Sequence, residues 1–167
     1  GTTLVVAPQF LNDSDVKRHH LAPQVLRWNG NDWMAGEPST GPGQVSSYGA
    51  LDQIIEHLGN RTVFPALKEI VVAGHSGGGQ VVQRFALTGH AQPSLQSAGI
   101  RLRYVVANPS SYAYFSPQRP VPFKVADCPG FNDWKYGMQH LPAYAKGQSA
   151  EQLEQAYVSR KKKKMKK

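Results

Sequence analysis

Three features of the sequence predict an α/β protein built on a parallel sheet. Short aliphatic runs alternate with segments whose apolar residues recur at helical spacing. Strands that alternate with helices imply parallel pairing through right-handed crossovers. A glycine-rich turn joins one such strand directly to one such helix. The 167 residues suit one domain and are enough to bury a core.

The elements follow in order. Thr2, Leu4, Val5, Val6 and Ala7 form an aliphatic run stopped by Pro8, so residues 2–7 are predicted to be a strand covered on both faces. Residues 12–43 are rich in Gly, Pro, Asn and Asp and read as a long surface excursion, with Trp28 and Trp33 as anchors. Ser47 can cap a helix in which Leu51, Ile54, Ile55 and Leu58 share a face, and Gly59 with Asn60 can end it. Residues 69–73 read as a second buried strand and residues 74–79 as a tight turn. Val81, Val82, Phe85 and Ala86 mark the inner face of a helix ending near Gly89. Residues 102–107 read as a third strand, closed by Asn108 and Pro109. No internal repeat is present.

Composition excludes several classes. The single cysteine, Cys128, rules out a disulfide framework and a four-cysteine zinc module. No apolar run reaches the roughly eighteen residues of a membrane span. The formal net charge of +8 points to nucleic acid until it is located. Arg160, Lys161, Lys162, Lys163, Lys164, Lys166 and Lys167 carry seven of the positive charges, and the rest of the chain holds 12 basic and 11 acidic residues. A basic block of this kind reads as a disordered tail, residues 161–167, outside the folded domain of residues 1–160. The near-neutral body argues against nucleic-acid or anionic-membrane binding, which needs basic residues spread over a folded surface.

Gly74, His75, Ser76, Gly77 and Gly78 spell G-x-S-x-G between a predicted strand and a predicted helix. In that setting the pentapeptide reads as a nucleophile elbow. Ser76 would sit on a sharp, strained turn with positive φ, and Gly74 and Gly78 would remove side chains that collide across it. The following helix would aim its positive end at the reacting centre, and the Gly77 N–H would donate to an oxyanion. The turn lacks the Lys-Ser/Thr ending of a phosphate-binding loop and the G-x-G-x-x-G spacing of a dinucleotide site. A plain structural turn is the remaining alternative. His75 is expected to point away from the serine hydroxyl and to be a packed or hydrogen-bonded histidine rather than the catalytic base.

These residues resemble the α/β-hydrolase superfamily, and within it a group of uncharacterised serine hydrolases and esterases. The likeness also includes residues 4–10 (LVVAPQF), 64–68 (FPALK), 72–80, 108–112 (NPSSY) and 128–137 (CPGFNDWKYG), and runs to about Arg160. It implies a three-layer α/β-hydrolase-like parallel sheet and a serine nucleophile, Ser76, acting on small ester substrates with a histidine base and an acidic partner. It implies no cofactor and no metal ion. By the same resemblance residues 2–7 match the fourth strand and Ser76 follows the fifth. The third strand would then precede Gly1, and the seventh strand, the acid and the histidine would follow Arg160. The chain is therefore expected to be an internal piece, incomplete at both ends, and to self-associate through open sheet edges. The competing reading is a catalytically incompetent hydrolase-like fragment or binding module.

Ser76, Asp133 and His140 occur in the order of the superfamily's triad, with Asp127 as a second acid, but Asp133 and His140 lie too close in sequence to hold the usual strand and helix between them. The alternative makes His140 a surface or packing histidine. It leaves Asp127 and Asp133 as loop carboxylates that cap backbone N–H groups or pair with Lys124 or Lys135. Asp13, Asp15, His19 and His20 are metal-ligating types, yet such residues are common in exposed loops. Tyr104, Tyr112, Tyr114 and Phe115 gather near the end of the third strand, followed by Trp134 and Tyr136. They could line a substrate pocket or pack a cap against the sheet.

Overall fold

A computed structural model describes the backbone of residues 2–165 and the side chains of residues 2–159. Residues 2–10 carry no regular secondary structure, and Leu4, Val5 and Val6 are 63%, 82% and 48% exposed. The predicted first strand is therefore not formed. An aliphatic run becomes a strand only with a neighbour to receive its backbone hydrogen bonds. Among the described residues the run has none.

The excursion is more regular than its composition suggests. β1 (Leu11–Asn12) pairs in parallel with β2 (Arg27–Trp28), and α1 (Asp13–Arg18) lies between them. Asn12 caps α1 by accepting from the backbone N–H groups of Ser14 and Asp15 at 2.9 and 3.0 Å, while Asp15 accepts from the Asn12 N–H at 3.0 Å. Both tryptophans anchor as expected. Trp28 is buried and donates its indole N–H to the Glu37 carbonyl at 3.0 Å. Phe10 meets the edge of Trp28 and stacks on Trp33, each at 5.3 Å between ring centres.

α2 (Ser47–Leu58) begins one residue earlier than read from the sequence. Ser46 is the cap, accepting from the Tyr48 N–H at 3.1 Å, which leaves Ser47 buried in the first turn with its hydroxyl free for another partner. Leu51 and Ile55 are buried on one face, and Gly59 closes the helix as expected.

β3 (Glu69–His75), α3 (Gly77–Thr88), α4 (Gln92–Ser97) and β4 (Arg101–Ala107) form the centre of the molecule. β3 and β4 pair directly and in parallel, in register from Glu69 with Arg101 to His75 with Ala107. Ile70 and Leu102 on one face join Tyr48, Leu51 and Ile55 of α2, Val81 and Phe85 of α3, and Leu95 of α4 in a continuous core. On the other face Val71 and Val105 are exposed, at 49% and 44%. The strands are thus half-buried, where the sequence predicts burial on both faces. The architecture is mixed α/β with two small parallel sheets of two strands each, and no three-layer sheet is formed among the described residues. α4, a single turn and a half with only Leu95 buried, has too little periodic signal to be read from sequence.

α5 (Ala150–Met165) closes the chain, burying Leu153 and placing Tyr157 against Phe115 at 6.0 Å. Its backbone continues through the lysine run to Met165, where the sequence predicts a disordered tail; Lys166 and Lys167 lie outside the described residues. Lysine propagates a helix well, and positive charge at a helix C-terminus complements the dipole.

The outer edges of β3 and β4, the bare Val71–Val105 face and the exposed run at Leu4–Val6 together predict self-association. Size-exclusion chromatography with light scattering at tens of micromolar is expected to give species larger than a monomer. A single monomeric peak across that range would contradict it.

Candidate functional site

Ser76 is the single residue between the end of β3 and the start of α3. Its backbone sits at φ 54° and ψ −118°, a region that costs a non-glycine residue about 1–3 kcal/mol and persists only where the surroundings enforce it. Two backbone hydrogen bonds do so. The Ser76 N–H donates to the Ala107 carbonyl at 3.1 Å, carrying the β3–β4 ladder past its end, and the Ser76 carbonyl accepts from the Gln80 N–H at 3.0 Å, starting α3. The side chain is exposed and does not cap the helix.

Glycine is required at two positions around this turn. A β-carbon on Gly74 would overlap the Gly78 carbonyl, and one on Gly79 would lie 2.6 Å from the Ala107 oxygen. A β-carbon on Gly78 would meet nothing within 4 Å. The expectation that Gly74 and Gly78 both remove colliding side chains therefore holds for Gly74 and is corrected for Gly78. Gly78 contributes its backbone to the tight spot, and Gly79 is the second position where a side chain does not fit. Gly77 follows the serine as the first residue of α3, where N–H groups lack intrahelical acceptors. His75 is exposed.

Asp133 and His140 are joined by a hydrogen bond of 2.8 Å between Oδ1 and Nδ1. The intervening turn makes this pairing. The Tyr136 and Gly137 N–H groups both donate to the Asp133 carbonyl at 2.8 Å, and the Trp134 N–H donates to the Gln139 carbonyl at 2.6 Å, returning the chain within seven residues. Asp133 thus pairs with His140 rather than with Lys124 or Lys135. The two side chains are 42% and 83% exposed, and no hydrogen bond among the described residues joins them to Ser76. Asp127 ends an exposed 310 turn, Val125–Asp127. Among the described residues no three His, Cys, Asp or Glu side chains are grouped to hold a metal ion, so Asp13, Asp15, His19 and His20 do not form one. No described helix is long and apolar enough to cross a membrane.

The aromatic residues divide. Trp134 is buried and Tyr104 packs edge-on to Phe85 at 6.2 Å, while Tyr112 and Tyr136 are exposed. Arg119 lies over the Tyr114 ring at 4.5 Å. A cleft of about 400 Å³ between α1 and β2 and another of about 320 Å³ beside α5 are both lined without Ser76.

The 310 turn Asp32–Ala35 is the part of the site that sequence reasoning missed. Three consecutive carbonyls of this turn are each held by a different side chain. Trp33 accepts from the Ser47 hydroxyl at 2.7 Å, Met34 from the Tyr48 hydroxyl at 2.9 Å, and Ala35 from the Trp134 indole at 2.7 Å. The result is a turn pressed on the N-terminus of α3. A β-carbon on Gly77 would lie 2.8 Å from Met34 Sδ and 3.8 Å from Trp33 Cη2. Tyr48 is fully buried, and burial pushes its phenol far above the ordinary range, so it is a permanent donor here. Tyr48→Phe is expected to cost about 1 kcal/mol, lowering Tm by about 2–4 °C, because the Met34 carbonyl loses its donor. A thermal melt followed by circular dichroism checks this.

A second buried constellation lies two turns further along α3. Arg84 is fully buried and donates to the Gln80 carbonyl at 3.1 Å, to the Ser111 hydroxyl at 2.8 Å and to the Lys135 carbonyl. The Trp134 ring covers it at 5.7 Å. Burial pulls its pKa below the ordinary guanidinium value. Arg84 ties the segment after β4 and the turn carrying Asp133 and His140 to α3.

Compared with protein-family models, curated proteins and solved structures, the chain matches none.

Proposed function

We propose that the chain is a serine hydrolase of the α/β-hydrolase type, with Ser76 as the nucleophile that attacks the carbonyl carbon of small ester substrates. The observation that supports this reading is the strained, positive-φ conformation of an exposed serine at the C-terminal end of a parallel strand and the head of a helix. Strain clusters at functional sites, and here it coincides with a reactive residue type in a strand–turn–helix setting, which favours the functional reading. The serine Oγ forms a bond to the carbonyl carbon, and a histidine takes its proton. The Gly77 N–H and the head of α3 stabilise the oxyanion, whose collapse breaks the ester C–O bond and expels the alcohol with the proton held by the histidine. Water then attacks the acyl-enzyme carbonyl, releasing the acid and returning a proton to Ser76 Oγ.

A second reading is a chain that keeps the nucleophile without its base. It is favoured by the Ser76 hydroxyl having no described hydrogen bond to a histidine, while Asp133 and His140 bond to each other. One experiment separates the two. A fluorophosphonate is incubated with the chain and with Ser76→Ala, the labelled residue is located by mass spectrometry, and turnover of p-nitrophenyl butyrate is followed in parallel. Labelling at Ser76 with slow turnover is the expected result. Turnover that Ser76→Ala and His140→Ala each abolish would make His140 the base and Asp133 its partner. No labelling at Ser76 would remove the hydrolase reading.

A further inference from the structure

We infer that Met34 and Trp33 form the wall that receives the acyl group of the substrate, and that the preferred substrates are esters of apolar acyl groups longer than acetyl. This inference rests on the assignment of Ser76 as the nucleophile. Gly77 carries the N–H placed to hold the oxyanion, and the three nearest side-chain atoms to its missing β-carbon belong to Met34 and Trp33. Met34 and Trp33 are thus the side chains beside Gly77, and they stand next to an acyl carbon bonded to Ser76 Oγ with its oxygen at that N–H. Their surface is apolar and presents a thioether beside an indole. Methionine adapts its shape to a chain and the indole offers a flat face, so both straight and aromatic acyl groups fit.

The turn is also built to hold its position. Ser47, Tyr48 and Trp134 come from α2 and from a turn almost a hundred residues later, and each donates to one of three successive carbonyls. Phe10 stacks on Trp33 and fixes the ring plane. Rigid support of this kind is what a specificity wall needs and a surface loop does not.

The test compares the rates at which Ser76 is phosphonylated by a methyl and by an octyl phosphonofluoridate, read by intact mass. In that reaction Ser76 Oγ forms the bond to phosphorus, fluoride leaves, and the serine proton passes to solvent or base, so turnover of an acyl-enzyme is not required. The native chain is expected to favour the octyl reagent by about tenfold or more, the scale set by apolar contacts in a specificity pocket. Met34→Gln and Trp33→Ala should each bring the ratio down several-fold while the methyl reagent still labels Ser76, and Met34→Leu should keep the preference. An unchanged ratio in both Met34→Gln and Trp33→Ala, with Ser76 still labelled, overturns the inference and leaves the nucleophile standing. Failure of both reagents to label Ser76 in the native chain overturns the nucleophile and the wall together.

Discussion

Gly74→Ala is expected to cost on the order of 3 kcal/mol, whereas Gly78→Ala, four residues on, should be neutral or slightly stabilising. The difference lies in what each new methyl group meets. At Gly74 it would strike the backbone carbonyl of Gly78, and neither the strand end nor the first turn of α3 can move without losing the hydrogen bonds that hold Ser76. Overpacking against backbone typically costs about 1–3 kcal/mol and sometimes more. At Gly78 there is open space, and alanine lowers the cost of ordering a helical residue by about 0.5–1 kcal/mol. Thermal melts of the two variants check the contrast. For a chain of this size Gly74→Ala should lower Tm by about 6–12 °C. Equal effects at the two positions would mean that the turn around Ser76 is not packed as described.

Arg84→Met should be comparably severe, at about 3 kcal/mol. Methionine fills a similar volume but donates no hydrogen bond. The Ser111 hydroxyl would keep its bond to Gln80 Oε1 at 3.0 Å, while the half-buried Lys135 carbonyl would lose that donor. Arg84→Lys is not a rescue, since one ammonium group cannot span Gln80, Ser111 and Lys135 as the planar guanidinium does. Urea unfolding should show a lower midpoint with an unchanged slope. A loss below about 1 kcal/mol would show that the segment carrying Lys135 is held by other contacts.

What could be read from the sequence is what depends on near neighbours. The helix after Ser76, its inner face of Val81, Val82, Phe85 and Ala86, and the positive φ of Ser76 follow from spacing over a few residues, and each is present. The anchoring by Trp28 and Trp33 was legible from large apolar rings in a polar stretch. Residues 2–7 have a strand's composition, but composition does not supply a neighbour, and β3 takes β4 as its partner instead. Burial of both sheet faces was inferred from aliphatic content, which is the same whether or not a second layer exists. The support under Met34 was out of reach because its donors stand 14 residues away at Tyr48 and, for the next carbonyl, 99 residues away at Trp134. The Asp133–His140 contact depends on a turn that doubles back within seven residues, a geometry that no spacing rule for triads anticipates.

A strand paired on one side has a rhythm that deuterium can read. Along β3, successive amides face alternately toward β4 and away from it, so in an isolated two-stranded ladder every other N–H is open to solvent. Residue-resolved exchange should therefore run fast–slow–fast across Glu69–His75, while the amides at the buried centre of α3 stay uniformly slow. The alternation is also a gauge of occupancy. Anything that lays a backbone along the outer edge of β3, whether residues 2–7 of the same chain or a second copy, would slow the fast amides and leave the slow ones unchanged. The beat would flatten with rising protein concentration if the visitor is another copy, and would be flat at every concentration if it is the chain's own first residues.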